Sequence, residues 1–176
     1  MPIDPNLLLE TNRFRVVKVH QSLANGALRT REIVRHPGAV VVLPMVDDDH
    51  VCLIRNFRVS VDEHLLELPA GTLESGERPE SAARRELIEE TGFRAERLER
   101  LHAFYLSPGI LDERMHLFLA TSLTPGETAR EPGEEIENLI VPWEDAIGMV
   151  FDQRIQDAKT IVGLLFYDRL RAGRTD

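Results

Sequence analysis

Apolar and polar positions change their period along this chain, and each change marks an element. Residues 13–24 and 27–35 mix β-branched and polar residues on either side of Asn25-Gly26, a pair that suits a tight hairpin turn. Pro37-Gly38 then interrupts the chain. Residues 39–46 (AVVVLPMV) are an apolar run that reads as a strand, and 50–58 (HVCLIRNFR) read as its partner across Asp47-Asp48-Asp49. Two more strands are predicted at 97–106 and 114–122, and a short one at 136–142, after a polar loop from Pro125 to Gly133. Helical spacing is expected from Pro79 to Thr91, from Pro142 onward, and over 156–171, where Ile161, Leu164, Leu165 and Leu170 make an apolar stripe. Strands with a few helices and no regular β-α alternation predict an α+β fold or a mixed-sheet sandwich. The hairpin at 1–37 has little core of its own and must pack on the main domain, residues 38–176, or on a second subunit.

Composition narrows the class. At 176 residues and 43% hydrophobic the chain suits one domain with a real core. Its net charge of −9 argues against a general nucleic-acid binder. No apolar stretch approaches the ~18 residues of a membrane span. The first residues lack the basic and apolar regions of a signal peptide, so a cytoplasmic protein is expected. Cys52 is the one cysteine; within Val51-Cys52-Leu53-Ile54 it reads as a buried, inert thiol.

The densest chemistry lies in GTLESGERPESAARRELIEETGF, residues 71–93. Gly71, Glu77, Arg85, Glu86, Leu87, Glu89, Glu90, Gly92 and Phe93 form one spaced pattern, G-x5-E-x7-R-E-L-x-E-E-x-G-F. Pro79 suits the first turn of a helix, Glu80 complements its positive end, and Gly92 suits its C-terminal cap. At ~100° per residue Glu86, Glu89 and Glu90 fall within an arc of roughly 100°. Like charges so spaced destabilise a bare helix. Hard oxygen ligands of this kind suit Mg²⁺ or Mn²⁺ shared with substrate phosphates. A solvated acidic face is the bland alternative, and the fixed spacing weighs against it. Asp47-Asp48-Asp49 lacks such company and reads as an exposed turn. His64, His102 and His116 have no ligand-like spacing and suit surface or core roles.

The segment resembles the Nudix box of the Nudix hydrolases at every defining position. That resemblance implies a mixed β-sheet between helices and hydrolysis of nucleoside diphosphates linked to another moiety. It makes Glu86 and Glu90 the main metal ligands and Glu89 a further ligand or a water-activating base. The carbonyl of Ala70 would face the metal, while Glu77 and Arg85 would hold the loop and helix in place. Mg²⁺ is the expected cofactor, with Mn²⁺ as a substitute.

Further features resemble the ADP-ribose pyrophosphatase branch. Pro108 follows Gly92 by sixteen residues, within Ser107-Pro108-Gly109-Ile110-Leu111-Asp112-Glu113. Ile54-Arg55-Asn56-Phe57-Arg58 resembles the branch's arginine-bearing strand, and Glu67-Leu68-Pro69-Ala70-Gly71 leads into the box. The resemblance implies substrate contacts from Arg58, Glu67, Ser107 and Glu113. Arg31, with Arg29, would hold substrate across a homodimer interface built from the N-terminal strands. A glutamate on the loop before Ile136 would deprotonate water; Glu134 is the best positional match, Glu135 the second choice, and Glu89 the competitor. Pro132-Gly133 just before it departs from the usual acidic run. The expected reaction splits ADP-ribose into AMP and ribose 5-phosphate. The alternatives are another nucleotide sugar, GDP-mannose or a UDP-sugar, and a non-catalytic module that senses ADP-ribose; the intact box favours an enzyme.

Overall fold

A computed structural model of the chain describes residues 5–130 and 135–173. Strands β1 (Leu7–Glu10), β2 (Arg15–Ser22) and β3 (Leu28–Arg35) form an antiparallel sheet in that order. The turn forms at Asn25-Gly26 as expected: Gly26 sits at φ 79°, and Asn25 Oδ1 accepts from the Ala27 N–H at 3.1 Å. Much of the sheet is exposed, with Leu8, Leu9 and Leu28 bare to solvent. It is stitched to the rest where Val34 bridges Leu111: the Val34 N–H donates to the Ile110 carbonyl at 2.8 Å, and the Asp112 N–H to the Val34 carbonyl at 3.1 Å. β1 was not anticipated, because its four residues are too few to show a period.

The main body follows as β4 (Ala39–Pro44), β5 (His50–Arg58), β6 (Glu63–Glu67), β7 (Ala70–Thr72), α1 (Pro79–Glu86), β8 (Arg94–Tyr105), β9 (Arg114–Thr124), β10 (Ile136–Pro142), α2 (Trp143–Phe151) and α3 (Ala158–Ala172). Its mixed sheet runs β7-β4-β9-β8, with β4 and β9 parallel. A second, antiparallel sheet runs β10-β5-β6. Here one expectation fails: β5 is not the ladder partner of β4. Only Met45 and Val51 bridge at the turn, and β5 departs into the other sheet. The reason lies in β4 itself. All six of its residues are buried, so both faces are covered and both edges are taken, by β7 and β9. Continuous apolar strands of this kind belong at the centre of a layered fold.

Alternation along β4 separates two cores. Val40 and Val42 pack with Phe118, Ala120 and, from α1, Ala82 and Ala83, together with Leu87. Val41 and Leu43 point the other way, onto Val51, Leu53, Leu68, Trp143 and Leu164. The mixed sheet therefore lies between α1 and a layer made of the second sheet, α2 and α3. Each fully buried aliphatic side chain contributes about 1.5–3 kcal/mol. Trp143 fixes α2 against α3, donating Nε1–H to Asp168 at 3.0 Å and meeting Tyr167 edge-on. The helix starts one residue later than expected, with Pro142 as its cap. Cys52 is buried as expected, and burial pushes its thiol up to about 12.

The carboxylate-bearing helix differs from a uniform α-helix. It is α-helical to Glu86, then widens into a π turn over Leu87–Thr91 before Gly92 closes it at φ 78°. A side chain at residue 92 would be strained by that φ and would also stand 2.5 Å from the Gly126 carbonyl, so glycine is required twice over. Single π turns are rare and gather at functional sites.

Candidate active site

The site is built where α1 and its π turn meet β7. Arg85 is the hub. Its Nε and Nη2 donate to the two Glu77 oxygens at 3.1 and 2.9 Å, its Nη1 to Glu86 at 2.7 Å and Glu89 at 2.9 Å, and its Nη2 to the Thr72 carbonyl at 3.3 Å. Glu77 also caps the loop, accepting from the Glu74 N–H at 3.0 Å. Hydrogen bonds from Arg85 hold the Glu77 carboxyl below its ordinary range. The expected holding role of this pair matches these contacts.

Glu86 and Glu90 are buried, while the Glu89 side chain is one-third exposed. Glu90 accepts from the Ala70 N–H at 2.9 Å, tying the π turn to β7. Glu86 lies over Gly71, where any Cβ would stand 1.9 Å from its carboxylate carbon. Among the described residues, no three acidic, histidine or cysteine side chains already converge at ligand spacing. The donor set nonetheless fits a hard divalent ion. It is all oxygen, and Glu77, Glu86 and Glu89 share one guanidinium while Glu90 is buried one residue on.

A second cluster flanks the first. Arg58 forks onto Glu67, Nε to Oε1 at 2.7 Å and Nη2 to Oε2 at 2.6 Å. Lys159 reaches the same Glu67 Oε2 at 2.5 Å and Asp157 at 2.9 Å. Glu67 is fully buried. Burial alone would raise its carboxyl, but Arg58 and Lys159 outweigh it and the net direction is down. The expected substrate contact from Glu67 thus takes another form: its carboxylate is occupied in holding Arg58. The half-buried Arg58 feels the Glu90 charge as well, which brings the two clusters within electrostatic reach.

The other expected residues are spread along one edge. Ser107 is exposed, and its carbonyl accepts from Ile110 and Leu111, folding the Ser-Pro-Gly segment into a turn. Glu113 lies 3.5 Å from His36 Nδ1, just ahead of β4. Asp112 takes Arg35 at 2.8 Å and the His36 N–H at 2.8 Å. Arg31 is exposed on β3, opposite Val19 and three residues before the Val34–Leu111 bridge. Glu134 lies outside the described residues; Glu135 is described and exposed. The exposed His102 stacks on Phe166 at 5.0 Å, and the half-buried His116 pairs with Arg100 at 3.2 Å; neither lies in the core.

Four residues were missed. Asp157 caps α3, accepting from the Thr160 N–H at 3.0 Å, and D-x-x-T before an apolar run is a cap signal legible in the sequence. Lys159 follows it, a cation in the first turn where the helix dipole disfavours one. Arg130 and Asn138 carried no local signal.

This arrangement defines a class. The NUDIX domain pattern matches residues 34–162, and the chain belongs to that family. It is 44% identical to an ADP-ribose pyrophosphatase of Bacillus subtilis (strain 168) over 146 residues, 82% of this chain and 79% of that protein. Over 158 residues it is 39% identical to a GDP-mannose pyrophosphatase of Cronobacter sakazakii (strain ATCC BAA-894), 80% of this chain and 81% of that one. A crystal structure of an ADP compounds hydrolase superposes with a TM-score of 0.83 at 26% identity, covering 96% of this chain and 91% of that one.

Proposed function

We propose that this chain hydrolyses the diphosphate bond of a nucleoside diphosphate sugar, with ADP-ribose as substrate and AMP and ribose 5-phosphate as products. One observation carries the reading: the buried pair Glu86 and Glu90, held beside Gly71 and Ala70 with Arg85 as brace. The pyrophosphatase relative at 44% identity supports the choice of substrate.

Glu86, Glu90 and Glu89, with the Ala70 carbonyl, would hold Mg²⁺, or Mn²⁺ in its place. When bound, such ions screen diphosphate charge, orient its oxygens and lower the pKa of a bound water. The protein's own work is positional. Arg85 keeps Glu86 and Glu89 aligned. Arg58, set by Glu67, presents its guanidinium edge to the diphosphate. Water attacks one phosphorus, one P–O bond forms and the bridging P–O bond breaks. Glu89, one-third exposed and on the turn itself, accepts the water's proton; Glu134 is the rival base. Ser107, Glu113 and Arg31 would complete the pocket at the edge where the N-terminal sheet docks. That sheet, β1 to β3, is too thin to stand alone and would cover its exposed Leu8, Leu9 and Leu28 in a homodimer.

The second reading is GDP-mannose, favoured by the 39% identical relative. A panel of ADP-ribose, GDP-mannose and UDP-sugars assayed with Mg²⁺ separates the two. Glu86→Gln or Glu90→Gln should lower turnover by orders of magnitude with the fold intact. Near-parental turnover in both removes the metal site, and tight ADP-ribose binding without product replaces the enzyme by a sensor.

A further inference from the structure

The π turn ends in carbonyls that its own helix leaves without intrahelical partners, as every helix C-terminus does. Here three consecutive ones are taken from outside by a single group of residues. The Ala129 N–H donates to the Glu89 carbonyl at 3.2 Å. Arg130 donates Nε and Nη2 to the Glu90 carbonyl at 3.1 and 2.8 Å. Asn138 donates Nδ2 to the Thr91 carbonyl at 2.8 Å. The clamp is closed on itself, because Arg130 Nη2 also donates to Asn138 Oδ1 at 2.8 Å. Arg130 sits forty residues from Glu90, on the loop after β9, and Asn138 belongs to β10 in the other sheet. The contact thus joins the carboxylate-bearing turn to both sides of the fold.

Inside the turn, Thr91 returns its hydroxyl to the Leu87 carbonyl, and the Phe93 N–H donates to the Thr91 hydroxyl at 3.1 Å. The inner bond therefore fixes the turn's start, and the outer clamp fixes its end. What lies between is Glu89 and Glu90. A π turn has a wider winding than an α turn, and that winding decides which way successive side chains point. Glu90 must point at the Ala70 N–H, 2.9 Å away, to join β7. A relaxed α turn would swing it along the helix surface. Leucine, isoleucine and glutamate are ordinary helix residues, so within Leu87–Thr91 the local bias against α winding is Thr91, whose hydroxyl bonds back to the Leu87 carbonyl, and the remaining hold comes from outside.

We propose that Arg130 and Asn138 are positioning residues for the metal-binding carboxylates, holding the turn in its π winding by its carbonyls and so setting the direction of Glu89 and Glu90. They touch neither substrate nor metal. The guanidinium supplies a fork and a charge at the negative end of the helix, and the amide both anchors that fork and adds a donor of its own. The inference rests on the reading of Glu86, Glu89 and Glu90 as the metal site, so its test begins with that site.

Mn²⁺ binding to the substrate-free protein, followed by electron paramagnetic resonance of the free ion, is the readout. Glu90→Gln should weaken Mn²⁺ strongly; unchanged binding there overturns the metal site and the clamp with it. Given that loss, Arg130→Met should weaken Mn²⁺ about tenfold, the scale of other groups that orient ligands from behind. Its circular dichroism should stay parental. Asn138→Ala, on an exposed position, should weaken Mn²⁺ severalfold, and the double variant should be little worse than Arg130→Met, because both act through one cluster. Folded Arg130→Met with Mn²⁺ affinity within twofold of parental overturns the proposal. If Arg130→Met fails to fold, Asn138→Ala decides alone: severalfold weaker Mn²⁺ supports it, and parental affinity overturns it.

Discussion

The carboxylate of Glu86 occupies the space where a Cβ on residue 71 would stand, 1.9 Å from its Cδ and from one of its oxygens. Gly71 is therefore present because of its neighbour. The clash is with the far end of a flexible side chain, so Gly71→Ala can be relieved by turning Glu86 aside. We expect the variant to fold with a melting temperature within a few degrees of parental. Turnover should nevertheless fall by orders of magnitude and Mn²⁺ should bind at least tenfold more weakly. Calorimetry beside an assay of AMP formation reads both; a fully active Gly71→Ala would mean that Glu86 need not lie where it does.

Arg85 makes five hydrogen bonds through a planar fork. Lysine keeps the charge and loses the fork. Arg85→Lys should therefore lose more than its charge count suggests. Turnover should drop tenfold or more, about 1.4 kcal/mol on the barrier. Steady-state kinetics that match the parent would reduce Arg85 to a point charge.

Glu67 is buried with two cations, and removing one leaves Arg58 alone to compensate it. Lys159→Met should cost about 2 kcal/mol of stability, less than the 3–5 kcal/mol of a wholly orphaned buried charge. The pH dependence gives a sharper sign. In the parent the folded Glu67 carboxyl lies below its unfolded value of 4.5 despite burial, because Arg58 and Lys159 together outweigh desolvation. Its contribution is thus fully present above about pH 4.5 and is lost as pH falls through the folded value. Without Lys159 the folded value rises toward the unfolded one, so less stability remains to be lost in acid and the decline should be shallower. Urea unfolding from pH 7 down through pH 4.5 and below tests this; parallel acid declines for the two proteins would refute it.

The N-terminal sheet meets the body through Val34–Leu111, Arg35–Asp112 and the His36 N–H on Asp112. Those contacts brace the turn that holds Ser107 and Glu113. Removing residues 1–36 should leave a monomer by light scattering, with a KM for ADP-ribose raised well beyond any fall in kcat. Arg31→Ala should reproduce part of the KM effect without changing oligomeric state. A truncated chain with parental size and KM would detach the sheet from both roles.

Much of the site was legible because it is local. Glu77, Arg85, Glu86, Glu89 and Glu90 lie within fourteen residues, and their spacing records a shared loop and helix. The π winding was not legible. Leu-Ile-Glu-Glu is ordinary helical sequence, and the groups that hold the turn's last carbonyls arrive from Ala129, Arg130 and Asn138. The strand at 39–46 was found, but its partner was misjudged. A tight acidic turn to the next strand looks like a hairpin, and only full burial on both faces reveals a central strand that must give its edges to β7 and β9.

By itself the sequence determined the elements whose residues are near neighbours: the Asn25-Gly26 turn, the Pro79 start and Gly92 stop of the box helix, and the carboxylates between them. Backbone conformation and capping depend on a few adjacent residues, so they leave a local pattern. Tertiary structure alone decided that Glu67 meets Lys159 across 92 residues, that Arg35 meets Asp112 across 77, and that Arg130 grips Glu90 across 40. Such pairings depend on which sheet each strand joins, and that follows from burying two faces at once, a condition no short stretch of chain can express.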